Sequence, residues 1–258
     1  MKKFNLFLLL TILILYSCKN QKEENPIDPE TKYELTPFSQ SPEFPDATLT
    51  FESYVNGLFT FKVESETYSL GEQTSDANKK MCANSPEGQH IHLIMGSDPY
   101  YAKYTETFKQ DIRDGTHYML AFLSRSYHES IKTSTAYVAS KVEIESNTII
   151  NSEPIEGMML WYSRPKGVYV GKDETDKVML DFYLKDVELG EEYKVLADIN
   201  GEIHSIDQWI PYYIKGLPLG INKIKLTLVD KMGEMVPVAN NPVSMEFELK
   251  EDPADALQ

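Results

Sequence analysis

The amino-acid sequence predicts an all-β protein made of two tandem β-sandwiches. Three observations point there. From about Ala47 onward the chain is cut into short runs rich in Tyr, Phe, Ile, Val and Thr, bounded by Gly, Asp, Asn and Pro, which is the composition of strands and turns. No window carries a long helical period. The second half also repeats the first without a gap at an offset of 105 residues: Gly96 meets Gly201, Phe108 meets Tyr213, Gly115 meets Gly220, Met119 meets Ile224 and Leu123 meets Leu228.

The chain opens differently. Lys2 and Lys3 precede an apolar run over residues 6–16. That run is shorter than the ~20 residues of a membrane span and has the charge and length of a secretory signal peptide, residues 1–17. It ends in Leu15-Tyr16-Ser17-Cys18, which resembles the lipobox of bacterial lipoproteins. The resemblance implies cleavage after Ser17 and lipidation of Cys18, whose sulfur is the nucleophile that takes the diacylglycerol. Acyl chains such as palmitate then hold the protein to a bilayer, each buried CH₂ contributing about 0.8 kcal/mol. An uncleaved N-terminal anchor helix is the competing reading. Lys19 stands where an Asp would resemble an inner-membrane retention signal, so the resemblance favours the outer membrane. Gln21-Lys22-Glu23-Glu24 resembles the export tag of surface lipoproteins of the Bacteroidetes group, and a plain charged linker explains the same residues. The expected location is lipid-anchored at the outer membrane, on its periplasmic or outer face.

Residues 18–46 read as the lipidated cysteine and a flexible linker, with Pro26, Pro29, Pro37, Pro42 and Pro45 among charges and no apolar periodicity. If Cys18 carries lipid, Cys82 is left alone and no intramolecular disulfide can form. Stability then rests on core burial, for which about 240 residues suffice, and Cys82 reads as a small buried apolar residue. The net charge of −15 argues against a nucleic-acid partner. No P-loop, dinucleotide fingerprint, G-x-S-x-G elbow or H-E-x-x-H occurs. No nucleophile–base or acid pair stands out by spacing, so no enzyme is expected.

The first sandwich is assigned to 47–150 and the second to 151–258, with the polar stretch 147–156 between them. Asn200-Gly201 between alternating runs signals a tight hairpin. The final run, Val243-Ser244-Met245-Glu246-Phe247-Glu248-Leu249, alternates cleanly and has its counterpart over 138–144. Residues 217–230 and 114–122 resemble the penultimate strand and preceding turn of bacterial immunoglobulin-like domains. That resemblance covers most of 47–250 and implies an immunoglobulin-like sandwich, a fold that hosts many functions.

Four of the five histidines lie between positions 90 and 128: His90, His92, His117 and His128. His90 and His92 are two apart on a strand and share a face. The repeat offset matches them to Val195 and Ala197, on the face of Ile199, so they are expected on the side that the second repeat fills with apolar groups. His117 matches Asn222. In immunoglobulin-like folds the strand from His90 and the strand 116–124 are antiparallel neighbours, which sets His90 beside Leu123 and Ser124. His128 then returns to the same pole. His90, His92, His128 and Glu129 are therefore the expected cluster, and imidazoles suit Zn or Cu. A satisfied polar network with Tyr100, Tyr101, Arg125 or Glu129 explains the same histidines and is the plainer reading, since their spacing matches no strong metal signature. The histidine-bearing segments also resemble a motif of uncharacterised bacterial envelope proteins, from which no activity follows.

In the second half Trp161, Tyr162, Arg164, Trp209 and Tyr212 could form a platform for a ligand such as a sugar, or serve as core and strand-edge residues. Apart from a metal ion, no cofactor is expected. The expected function is an envelope-anchored, non-catalytic binding or adhesion module for a protein, glycan or metal ligand. A metal-binding lipoprotein using the histidines of the first sandwich is the alternative.

Overall fold

The computed structural model describes residues 32–254. The signal peptide, Cys18 and residues 21–24 lie outside them. β1 (Glu34–Pro37) comes first. The next eight strands are β2 (Thr48–Val55), β3 (Leu58–Glu64), β4 (His90–Met95), β5 (Tyr101–Lys103), β6 (Thr107–Lys109), β7 (Gly115–Ser124), β8 (Tyr137–Glu145) and β9 (Thr148–Pro154). They form two sheets, β2-β3-β6 and β5-β4-β7-β8-β9. The rest are β10 (Met159–Arg164), β11 (Gly167–Val170), β12 (Val178–Lys185), β13 (Tyr193–Ile199), β14 (Glu202–Ile206), β15 (Tyr212–Lys215), β16 (Gly220–Asp230) and β17 (Val243–Lys250). These make the sheets β1-β15-β12-β10 and β11-β17-β16-β13-β14. The protein is thus an all-β fold of two sandwiches. No helix among the described residues is long and apolar enough to cross a membrane.

Local sequence explains the hairpins. Asn56-Gly57 joins β2 to β3 and Asn200-Gly201 joins β13 to β14, all four residues with positive φ (50° and 77°, 50° and 95°). That geometry matches the twist of the flanking strands, and Asn and Gly tolerate it best.

Each sandwich has its own core. Phe59, Phe61, Ile91, Leu93, Met119, Ala121 and Leu123 fill the first. Leu160, Tyr162, Leu180, Phe182, Val195, Ala197 and Leu226 fill the second. A third cluster, with Ile94, Leu120, Phe122, Trp161 and Tyr183, lies between them. β4 and β10 are buried along their whole length, because one face packs inside a sandwich and the other against the neighbouring one. Polar ties cross the same junction. Asp181 of β12, fully buried, accepts a hydrogen bond from the Ser130 N–H at 2.9 Å and pairs with Lys132 Nζ at 2.7 Å.

The repeat holds in part. Ala121 pairs with Val138, and Leu226 pairs with Val243, so β7–β8 and β16–β17 share one register at the 105-residue offset. β4 and β13 do not keep it. Ile91 faces Leu123 while Val195 faces Leu228, which makes Ile91, not His90, the equivalent of Val195. The segment linking β13 to β16 is one residue longer than the one linking β4 to β7, and a one-residue slip exchanges the faces of a strand. His90 and His92 therefore point away from the first core and toward the second sandwich, the reverse of the expectation.

Two boundaries also differ from the sequence assignment. Residues 33–46, assigned to the linker, are packed: β1 pairs with β15, and Tyr33, Phe38 and Phe44 are buried. β9 pairs with β8 through Pro154, so the first sandwich runs past 150.

Candidate metal centre

Strand alternation builds the centre. Ile91, Leu93 and Met95 of β4 enter the first core, which sends His90, His92 and Ile94 to the junction. His90 sits opposite Ser124, the last residue of β7. The chain then makes a tight turn in which the His128 N–H donates to Arg125 O at 2.8 Å and the Arg125 N–H to Glu129 O at 2.9 Å. His128 adopts a left-handed φ of 70° in this turn, a conformation in which His is enriched among non-glycine residues. Its ring is thereby returned to the start of β4.

The three imidazoles meet. His90 Nε2 lies 2.8 Å from His92 Nε2 and 3.0 Å from His128 Nδ1. One ligand nitrogen from each ring lies within 4.8 Å of the others. Zn–N bonds of about 2.0–2.1 Å in a tetrahedral site place two ligand nitrogens about 3.3–3.4 Å apart. The two shortest spacings are a few tenths of an ångström below that value and all three ligand nitrogens lie within 4.8 Å, so small ring movements would admit an ion.

The partners set the protons. His90 Nδ1 lies 2.8 Å from Gly88 O. A carbonyl can only accept, so Nδ1 carries the proton and Nε2 presents its lone pair to the cluster. Such a backbone partner orients a ligand imidazole. Ser163 Oγ of β10 is 3.4 Å from His92 Nδ1, on the side away from the cluster. The Tyr100 ring stacks flat on His92, centroids 3.7 Å apart at 8°, and its hydroxyl is 3.3 Å from His128 Nδ1. Burial depresses the basicity of all three rings. His90 is lowered to about 4, and His92 and His128 fall well below the usual value, with the Arg164 and Lys166 charges adding to the effect. The rings are therefore neutral at pH 7, which is the form that binds metal.

The remaining candidates lie elsewhere. Glu129 turns away from the cluster, accepting from Ser41 Oγ and pairing with Arg125 at 3.4 Å. His117, further along β7, faces Arg113 O at 2.8 Å. The aromatic platform is not formed. Trp161 and Tyr162 are consecutive on β10 and face opposite ways, Trp161 to the junction and Tyr162 into the second core. The Trp161 indole donates to Tyr118 O at 3.3 Å and the Trp209 indole to Phe182 O at 2.9 Å. Tyr212 packs in the second core and donates to Gln208 O. Trp161, Tyr162 and Tyr212 are buried and Trp209 is half-buried with its edge contact on Tyr183, so these rings present no common open face to a sugar. Arg164 instead joins the junction, donating from Nη1 to Tyr100 OH at 3.3 Å and from Nη2 to Tyr169 OH at 2.6 Å. Lys166 donates to Tyr100 O at 2.7 Å and lies 4.0 Å from the centre of the Tyr100 ring. Sequence reasoning missed Gly88, Ser163 and Lys166 as parts of this centre. Only Gly88, two residues before His90, lay within local reach.

Fold and site together define a two-sandwich β protein with a buried three-histidine cluster at its junction. No family model matches the chain, and no curated protein matches it. Among solved structures, the fibronectin(III)-like modules of Clostridium thermocellum CbhA are 18% identical, covering 36% of this chain and 98% of that one at a TM-score of 0.27. The extracellular domain of the putative hybrid two component system BT3049 from B. thetaiotaomicron is 10% identical, covering 79% and 38% at a TM-score of 0.27. A Ca2+-stabilized adhesin with which an Antarctic bacterium binds ice is 12% identical, covering 83% and 50% at a TM-score of 0.22. Scores this low carry no argument about function, and the sandwich architecture rests on the sheet topology itself.

Proposed function

We propose that this protein is a non-catalytic, metal-binding lipoprotein of the cell envelope. It is tethered through lipid on Cys18, and His90, His92 and His128 hold a transition-metal ion, zinc or copper. The observation that carries the reading is the convergence of three neutral imidazole nitrogens within 4.8 Å in a buried junction. A cluster held only as a polar network would have to place protons between nitrogens 2.8 and 3.0 Å apart while His90 Nε2 offers one lone pair to two neighbours. An ion uses all three lone pairs at once. His90 and His92 are fully buried, which suits holding an ion rather than turning over a substrate. The secretory leader and lipobox support the envelope location.

The test is thermal melting with and without zinc or copper, in the native protein and in His90→Ala/His92→Ala. Binding to the folded state alone raises the native Tm, by an amount equivalent to about 2.7 kcal/mol at a hundredfold excess over Kd. The double variant shows no rise. A native protein that is isolated metal-free and melts at the same temperature with either ion would overturn the reading.

A further inference from the structure

The charge around the three rings is one-sided. The ionic side chains acting on them are Arg164 and Lys166, both cations. Tyr100 OH is 3.3 Å from His128 Nδ1 and 3.3 Å from Arg164 Nη1, so the guanidinium lies two hydrogen-bond lengths from a ligand nitrogen. Arg164 is 4% exposed and makes no salt bridge among the described residues, and its Nε has no hydrogen-bond partner there. Its charge is thus not cancelled locally. The nearby carboxylate of Glu129 is engaged by Arg125. A metal site made of three neutral ligands and flanked by two uncompensated cations is an unusual host for a doubly charged ion.

We infer that the His90/His92/His128 centre selects a monovalent soft ion, Cu(I), over divalent zinc or copper. The inference rests on the metal-binding reading above and specifies its ion. With an effective dielectric constant of about 20 and a separation of roughly 6 Å, a second unit of positive charge on the ion is disfavoured by Arg164 alone about a hundredfold. Lys166 adds to this. A divalent ion could escape the penalty by bringing an anion with it. His90 and His92 are fully buried and Tyr100 lies flat on His92, so an anion would have to be seated on the side of His128, the one partly buried ligand. Three imidazoles also provide a full coordination shell for Cu(I), whereas zinc would have to take a water or other group as its fourth ligand.

The test compares metal affinities in the native protein, Lys166→Gln and Lys166→Arg. Cu(I) is measured anaerobically by competition with a chromophoric Cu(I) chelator, and Zn(II) with a chromophoric zinc chelator. Lys166 is partly exposed, so its replacement leaves the cores intact. The native protein binds Cu(I) at least a hundredfold more tightly than zinc. In Lys166→Gln both affinities rise, zinc by about tenfold and Cu(I) by about threefold, because the repulsion scales with ionic charge. Lys166→Arg keeps the native values. Zinc binding as tight as Cu(I) binding, or an equal response of both ions to Lys166→Gln, overturns the selectivity and leaves the three-histidine site standing. Failure of the native protein to bind either ion overturns the metal reading and the selectivity together.

Discussion

Asp181→Ala tests how firmly the two sandwiches are joined. The Asp181 carboxylate is fully buried on β12 and serves two groups of the first sandwich, the Ser130 N–H at 2.9 Å and Lys132 Nζ at 2.7 Å. Removing it strands a buried amide, at about 1–3 kcal/mol. It also leaves an ammonium whose side chain is 18% exposed without its partner. Breaking a buried pair from one side costs about 3–5 kcal/mol. Partial exposure of Lys132 lets water recover some of this, so we expect a total of about 3–4 kcal/mol. In a protein of this size that is a fall in Tm of roughly 10 °C. Asp181→Asn keeps an acceptor for Ser130 and should lose about half as much. Lys132→Met in the Asp181→Ala background should restore the part of the loss due to the stranded charge and leave the part due to the Ser130 amide. Urea unfolding of the native protein, Asp181→Ala, Lys132→Met and the double variant gives the coupling energy directly. A loss under 1 kcal/mol for Asp181→Ala, or no coupling with Lys132, would refute the argument.

Three further outcomes are expected. In the metal-free protein His90 titrates at about 4, with His92 and His128 also depressed. As pH falls below about 6.5 the unfolded chain takes up protons that the folded one refuses, so stability drops between about 6.5 and 4 by up to about 1.4 kcal/mol per pH unit per histidine. Urea midpoints should therefore fall less steeply over that window in His90→Gln/His92→Gln, and parallel slopes would contradict the assignment. Gly88 has a φ of 87°, and a Cβ there would stand 2.3 Å from Gly71 O. Gly88→Ala should cost about 2 kcal/mol or more and weaken metal binding, because the displaced Gly88 O orients His90; melting with and without metal checks both. Cys18→Ala should abolish partitioning of the processed protein into detergent, and mutant protein that stays on membranes through high-salt washing would argue for a different tether.

Much of the fold was legible because strand periodicity is a local property. The pairing of His90 with Ser124 and the return of His128 followed from the lengths of two strands and one turn. The face of β4 was not legible. Both faces are buried, so hydrophobicity did not mark the inside, and an ungapped offset concealed the single-residue slip. β1 escaped notice for another reason: Glu34-Leu35-Thr36-Pro37 pairs with residues 212–215, and a four-residue edge strand containing Pro resembles a spacer. Glu129 was placed in the cluster on sequence adjacency to His128, but His128 is left-handed within a tight turn, and the Glu129 side chain leaves that turn toward Ser41 and Arg125 instead. Ser163, Arg164 and Lys166 join the centre only through tertiary contacts, for which no spacing rule exists.

The pairing of β1 with β15 changes what counts as a unit in this chain. One edge of the second sandwich comes from residues that precede the first, so the first sandwich is an insertion within the second rather than its predecessor. A single cut between them frees neither, since a fragment from residue 155 onward lacks the strand that covers β15. A pull on the N-terminus reaches the C-terminal half before it reaches the residues that follow it in sequence. Mechanical load would thus enter through a four-residue clasp whose release unwraps the later-synthesised sandwich first.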